Sequence, residues 1–285
     1  MYKRQGTEYV VSGRKLWITN AKEAGLFVLF ATLDPSAGYK GITALLVEKD
    51  FPGFTVEMCI RDRSKAYGDQ QVIKNFTASI TRGERIALMG RNGAGKTTLL
   101  NALLANSPTT PDAELRKTSG YDGPFLDAGK VIWGHEASIG YFAQDHRSLI
   151  EGGMTAIEWL HLWDGAAVTE ELRGILGQML FAREEATKST SVLSGGEAAR
   201  LLFCKLMLQK PNVLVLDEPT NHLDLESINA LNISLQRYPG TVFLVTHDHD
   251  LIDEVATRIW HFERDHKITD FKGTYEDYQA AVVTA

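Results

Sequence analysis

A glycine-rich loop between an apolar run and a helical segment constrains the fold of this chain more than any other feature. Arg85–Met89 has the pattern of a buried strand, and residues 96–103 have that of a helix. The loop and first helical turn contain Gly90, Arg91, Asn92, Gly93, Ala94, Gly95, Lys96, Thr97 and Thr98. Glycines let backbone N–H groups close around an anion, and a helix N-terminus adds partial positive charge. The stretch predicts a strand–loop–helix unit that binds nucleotide phosphates.

Two acidic residues at the end of a second apolar run would complete such a site. Residues 212–216 predict a buried parallel strand, which ends at Asp217 and Glu218. Parallel strands deliver such side chains to the carboxyl edge of the sheet. We expect Lys96 to reach the β- and γ-phosphates, Thr97 and Asp217 to hold Mg²⁺, and Glu218 to accept a proton from an attacking water.

From residue 64 onward, short apolar runs alternate with helical segments. The runs at residues 130–133 and 242–245 are further examples, besides Arg85–Met89 and residues 212–216. This alternation predicts an α/β domain with a parallel sheet over residues 64–285. Residues 106–123 are rich in Ser, Thr, Pro, Asp and Gly and predict a surface loop.

Residues 194–197 predict a helix N-terminus that is open to an anion. Ser194 and Glu197 have capping-box spacing, Gly195 and Gly196 lie between them, and an apolar helical stretch follows. A double glycine is a poor choice for an ordinary helix start, because glycine has a low helix propensity.

The first part of the chain has a different pattern. Residues 9–20, 26–33 and 42–47 predict strands, with turns at residues 12–13 and 34–38. We therefore expect two domains, a β-rich fragment over residues 1–63 and the α/β domain over residues 64–285. The net charge of −6 provides no overall attraction to nucleic acid, and two cysteines cannot make a disulfide framework. The lack of a disulfide framework favours a reducing cytoplasm as the location. No apolar run reaches membrane-spanning length, so we expect no membrane segment in the chain.

The order of these motifs resembles that of ABC ATPases. Residues 194–197 look like the ABC signature, which in that family completes the ATP site of a paired cassette. The resemblance implies that Tyr67 stacks on adenine, that Gln144 senses Mg²⁺ and the attacking water, and that His247 contacts the γ-phosphate. It also implies that residues 221–224 cross between paired cassettes. We thus expect a P-loop NTPase fold of the ABC type, with Mg²⁺ as cofactor and ATP as substrate.

Residues 140–146, 218–224 and 271–278 look typical of the ABC-F subgroup, soluble ATPases that act on ribosomes with two cassettes in one chain. The chain is similar to the second cassette, with His249 where the subgroup more often has Arg. The first cassette and the helical linker have no counterpart here. The partners implied are a second cassette, either another copy or the missing half, and the ribosome. The alternative is an ATP-binding subunit of an ABC membrane transporter.

Residues 13–15, 17–20, 41–43 and 52–54 resemble the middle β domain of acyl-CoA dehydrogenases. In that family the Trp-Ile-Thr stretch, here Trp17, Ile18 and Thr19, lies against a flavin. The helical domains and the catalytic glutamate of the family have no counterpart, so a flavin oxidoreductase is a third and weaker reading, and no flavin is expected.

The border between these two resemblances carries a further pattern. The nucleotide string ATGTGTATAAGAGACAG translates as Met-Cys-Ile-Arg-Asp, which is residues 58–62, and then begins an Arg codon, as at Arg63. From its third base it reads GTG, a bacterial start codon, and then Tyr-Lys-Arg-Gln, which matches residues 1–5. The string resembles a transposon end used to prepare sequencing libraries. We therefore expect a chimeric sequence. Residues encoded by such a join are not used to predict the fold.

Overall fold

The computed structural model describes residues 2–5, 8–11, 26–32, 42–48, 57–67, 70–105, 107, 116, 118–119, 121, 123–134, 137–181 and 184–283. Contacts divide the chain into two units, Met1–Glu57 with Gly134–Glu136 and Met58–Trp133 with Ala137–Ala285. The predicted boundary between residues 63 and 64 falls inside a strand, Glu57–Tyr67. The motif residues around Trp17, Gly41 and Pro52, and most of the predicted loop 106–123, lie outside the described residues.

The first unit contains two antiparallel strand pairs. Strands β1 and β2 pair with each other, and β3 pairs with β4. Their bounds are Tyr2–Gln5, Glu8–Val11, Leu26–Thr32 and Ile42–Glu48. Three of the predicted strand regions therefore contain strands, because β-branched and aromatic residues between turn signals favour extended backbone.

The second unit is built on a six-stranded sheet in the order β13-β12-β7-β11-β10-β9. All neighbours pair in parallel except β12 and β13. The bounds are β7 Arg85–Met89, β9 Ile139–Phe142, β10 Val213–Asp217, β11 Thr241–Val245, β12 Arg258–Phe262 and β13 Ile268–Lys272. Every residue of β10 and β11 is buried, which explains why four of the five residues in each strand are apolar. The α/β class is confirmed.

A second sheet of three strands has the order β6-β5-β8, with β5 Glu57–Tyr67, β6 Gln70–Thr81 and β8 Ala128–Ile132. The run at residues 130–133 was expected in the parallel sheet, and this expectation is wrong, because β8 pairs antiparallel with β5. An apolar run fits a buried position in either sheet, so its pattern does not identify the partner strand.

Seven α-helices accompany these sheets among the described residues. They are α1 Lys96–Leu104, α2 Ala156–His161, α3 Thr169–Gln178, α4 Gly195–Gln209, α5 Leu225–Arg237, α6 His249–Val255 and α7 Tyr275–Val283. Short 3₁₀ turns occupy Arg147–Leu149, Glu185–Thr187 and Thr190–Val192. None of the helices described is long and apolar enough to cross a membrane.

Candidate active site

The glycine-rich loop joins β7 to α1, as predicted. Gly90 has φ 147°, and a Cβ there would lie 2.8 Å from the Cβ of Phe262. Gly95, the residue before α1, has φ 104°, and a Cβ there would collide with Val72. Both positions therefore require glycine for conformation and for space.

Lys96 is buried above this loop. Its Nζ donates hydrogen bonds to the carbonyl oxygens of Gly90 at 2.8 Å and Arg91 at 3.2 Å. Burial lowers the pKa of Lys96, while the charges of Glu218 and Asp217 act in the opposite direction. The loop thus holds a cation at the mouth of a helix N-terminus, where an anionic group is favoured.

A cleft of about 630 Å³ opens beside the loop, and we call it the P-loop cleft. Its lining includes most of the predicted site residues, namely Tyr67, Asn92, Gly93, Gly95, Lys96, Thr97, Thr98, Gln144, Asp217, Glu218 and His247. Gly90, Arg91 and Ala94 belong to the loop without lining the cleft. Val72, Thr220, Val245 and Asp248 also line it, and sequence reasoning missed them. The last three follow or end parallel strands, which is the signal that could have identified them.

The carboxyl ends of β10 and β11 bring the acidic residues and His247 together. Asp217 pairs in register with Val245, and the Glu218 N–H donates to the Val245 carbonyl at 2.8 Å. Glu218 has φ 52°, in the left-handed region, and its Oε1 lies 3.4 Å from His247 Nε2. Residues in sparsely populated backbone conformations cluster at active sites, and this turn lies at the candidate catalytic edge.

Asp217 is only 1% exposed, and neither of its carboxylate oxygens has a hydrogen-bond partner of ordinary geometry among the described residues. Burial raises the pKa of Asp217 to about 6, and the nearby Thr97 side chain acts in the opposite direction. Burial also raises the pKa of Glu218, against the influence of His247 and Lys96. Buried oxygens without well-formed hydrogen bonds are costly, so this position is a candidate for a ligand such as a cation.

The predicted signature residues form a different cleft, of about 380 Å³, which we call the signature cleft. Ser194, Gly195, Gly196 and Glu197 line it together with Arg200, His222, Leu223, Asp224 and Ser227. The capping box is confirmed, because the Ser194 N–H donates to Glu197 Oε2 at 2.7 Å and the Glu197 N–H donates to Ser194 Oγ at 3.2 Å. A Cβ on Gly196 would lie 2.6 Å from the His222 carbonyl oxygen, which explains the second glycine.

His146 contacts both regions, and sequence reasoning assigned it no role. It lies two residues after Gln144 of the P-loop cleft, and its Nε2 is 3.5 Å from the carbonyl oxygen of Gly195 in the signature cleft. The ring is 4% exposed and packs against Phe142, with centroids 5.1 Å apart. Its spacing after Gln144 is a local signal, but only the tertiary contact gives it meaning.

Two protein families and a solved structure match parts of this chain. The sequence profile of the ABC transporter family matches residues 73–221, and that of the acyl-CoA dehydrogenase middle domain matches residues 1–65. A solved structure described as the ATP binding subunit of an ABC transporter has a TM-score of 0.63 and 19% identity, and the match covers 79% of this chain and 93% of that one. At this identity the likeness shows the fold.

Curated relatives match at higher identity. YbiT of Escherichia coli O157:H7, which is described as a probable ATP-binding protein, is 39% identical over 81% of this chain and 40% of its own length. The ATP-binding protein Uup of Escherichia coli K12 is 36% identical over 73% and 31%, respectively. ABC transporter F family member 5 of Arabidopsis thaliana is 35% identical over 74% and 28%. The chain thus spans less than half the length of these relatives.

The resemblance to ABC-F proteins that the motifs indicated is confirmed by the last of these similarities. The profile match covers more than half of the chain, from before the glycine-rich loop to Asn221 after the acidic pair. The chain therefore belongs to the ABC transporter family, and its matched part is an ATP-binding cassette.

Proposed function

We propose that the cassette hydrolyses Mg-ATP when it pairs head to tail with a second cassette. The observation that carries the proposal is the convergence of Lys96, Asp217 and Glu218 on one cleft, where both Asp217 oxygens are buried and lack partners of ordinary hydrogen-bond geometry among the described residues. ABC cassette proteins in general are ATPases, and the specific roles below extend that class property to this chain.

The residues of the P-loop cleft fit a magnesium ion whose remaining ligands would be phosphate oxygens of the nucleotide. No group of three His, Cys, Asp or Glu that could hold a metal by itself occurs in the described part of the chain. Mg²⁺ is usually held by one or two carboxylates together with substrate phosphates, and it would neutralise charge on those phosphates when bound. Thr97, Gln144 and Asp217 are the residues that would hold it.

The other side chains of the cleft have separable tasks. Lys96 binds the β- and γ-phosphates, and Tyr67 stacks on the base. Glu218 takes the proton of the attacking water, and burial raises its pKa, which makes the carboxylate a stronger base. His247, with its Nε2 3.4 Å from Glu218, orients that carboxylate and contacts the γ-phosphate.

The signature cleft is the reason for proposing a pair. Its residues are separate from the lining of the P-loop cleft, so within one chain they complete no nucleotide site. In a head-to-tail pair, Ser194 and the α4 N-terminus would face the γ-phosphate that the partner cassette binds, whether the partner is a second copy or a first cassette of the ABC-F type. Specific ATPase activity of the full chain should therefore rise with protein concentration. A fast monomer with constant specific activity would overturn the pairing.

For the cellular partner, we favour the ribosome over a permease because the chain resembles ABC-F proteins, a subgroup that acts on ribosomes, and either partner implies a cytoplasmic location. Co-sedimentation of the full chain with ribosomes tests the first. Recovery with a permease in the membrane fraction would support a transporter subunit instead.

We also propose that the chain is not a natural fusion, and that residues 1–63 and 64–285 come from two gene fragments that were joined during sequencing or assembly. The two family matches meet between residues 65 and 73, and the contact units divide between Glu57 and Met58. Amplification across codons 50–75 from the source DNA tests this. A product that carries both halves in frame would contradict it.

A further inference from the structure

Four side chains beside the P-loop cleft form a compact group, which we call the tyrosine–lysine cluster: Lys65, Tyr67, Tyr121 and Asp127. Lys65 has a side-chain exposure of 2%, and its Nζ lies 2.7 Å from Asp127 Oδ1. The same Nζ donates to the Tyr121 hydroxyl at 3.4 Å. Although burial opposes it, Asp127 and Tyr121 raise the pKa of Lys65, so the ammonium stays charged.

Within the cluster, Tyr121 and Lys65 both contact the ring of Tyr67. The rings of Tyr67 and Tyr121 meet edge to face, with centroids 5.2 Å apart and planes at 84°. Lys65 Nζ lies over the Tyr67 ring, 5.0 Å from its centroid. One face of Tyr67 is therefore occupied by a cation and the ring has an aromatic neighbour, while 38% of the residue remains exposed and lines the P-loop cleft.

Both supports of the ring are themselves anchored. Asp127 Oδ2 accepts a hydrogen bond from the Ala66 N–H at 2.6 Å, next to Tyr67 in the chain. The Tyr121 ring meets Phe125, with centroids 5.8 Å apart, and Phe125 is buried. Arg116 Nη1 donates to the Tyr121 carbonyl at 3.5 Å. Tyr121 is thus tied to its own segment and to the strand that carries Tyr67.

We propose that Tyr121 is a positioning residue for nucleobase binding, which holds the Tyr67 ring ready to stack on the purine of ATP. This rests on the proposed function, in which Tyr67 contacts the base, and it assigns a task to the segment between α1 and β8. A ring already held in place loses less conformational freedom when the base binds, and edge-to-face pairs add favourable energy of their own. Tyr121 itself does not line the P-loop cleft.

The test compares two ligands, Mg-ATP and inorganic triphosphate with Mg²⁺, by calorimetry on the full chain. Triphosphate has no base, so a group that acts through the base should affect ATP alone. We expect Tyr121→Ala to weaken ATP binding about threefold, with triphosphate binding unchanged. Tyr121→Phe, which keeps the ring and removes the hydroxyl, is the matched control and should stay within about twofold of the parent. If Tyr121→Ala folds poorly, Tyr121→Leu takes its place, because leucine keeps the apolar bulk. Tyr121→Leu should show the same loss of ATP affinity, with triphosphate binding unchanged.

Two reference variants separate this inference from the proposed function. Tyr67→Ala should weaken ATP binding about tenfold and leave triphosphate binding unchanged. Lys96→Ala should weaken both ligands. If Tyr67→Ala lowers ATP affinity and the Tyr121 variants do not, the positioning role is overturned and the proposed function stands. Equal losses for ATP and triphosphate in the Tyr121 variants would likewise overturn it. ATP binding that survives Lys96→Ala intact would overturn the proposed function itself.

Discussion

The two clefts of the cassette shift the pKa of a buried carboxylate in opposite directions. In the P-loop cleft, burial raises the pKa of Asp217 to about 6, and its oxygens lack partners of ordinary geometry among the described residues. In the signature cleft, burial also acts on Glu197, but hydrogen bonds from Lys188 and Ser194 outweigh it and lower the pKa to about 2. One cleft keeps unsatisfied polar groups for a ligand, and the other is internally complete and presents a capped helix end.

Hydrolysis gives the sharpest test of the unsatisfied cleft. Glu218→Gln removes the proposed base while keeping its size, so we expect turnover to fall by up to about 10,000-fold, the upper range for general base catalysis. ATP should still bind, and the paired form should accumulate. Glu276→Gln, an exposed change in the first turn of α7, is the control and should hydrolyse normally. Phosphate release and light scattering measure the two effects, and full activity of Glu218→Gln would remove the base assignment.

Nucleotide affinity should depend on the lysine of the same cleft. Lys96→Ala should weaken ATP binding by about 1,000-fold, because charged hydrogen bonds contribute roughly 1.5–3 kcal/mol each and two phosphates lose them. Lys267→Ala removes an equal charge from a side chain that is 68% exposed and should leave affinity unchanged. Calorimetry distinguishes these results. Equal affinities in the two variants would show that the P-loop cleft does not bind the phosphates.

The stability of the fold should depend on Glu197 in the signature cleft, whose carboxylate is fully hydrogen-bonded. The folded pKa of Glu197, about 2, lies below its ordinary 4.5, so the ionised group stabilises the fold above pH 4.5 and this contribution is lost as the pH falls toward 2. Glu197→Gln should therefore lower the free energy of unfolding by about 3 kcal/mol at pH 7. Chemical denaturation at several pH values measures it. A loss that is as large at pH 3 as at pH 7 would contradict the electrostatic explanation.

The smallest expected effect has the reverse sign. Because the folded pKa of Asp217, about 6, lies above its ordinary 3.8, its stability contribution is present below pH 3.8 and is lost as the pH rises through 6. Asp217→Asn, measured without metal or nucleotide, should raise the free energy of unfolding at pH 8 by up to about 3 kcal/mol and change little near pH 4. Destabilisation at pH 8 would mean that the unpaired carboxylate carries no cost, and the comparison between the clefts would fail.

Local motifs made the site largely predictable from sequence. The glycine-rich loop, the acids after β10 and the Ser194–Glu197 capping box are each encoded within a few neighbouring residues, so their geometry follows from spacing. The run at residues 130–133 was placed in the wrong sheet, because β8 pairs with β5, a strand more than 60 positions earlier by register. An apolar run predicts that a strand is buried. It does not predict the partner strand, which depends on the tertiary fold.

An α/β cassette with a glycine-rich loop, two acids at a strand end and a capped helix could be predicted from sequence alone. These features depend on local backbone preferences and on hydrophobic periodicity. Tertiary structure alone decided which residues share a cleft. It separated the signature residues from Lys96, brought His146 to Gly195, and placed Tyr121 against Tyr67. Such contacts join positions far apart in the chain, and packing of the whole core, rather than any local propensity, sets the distance between them.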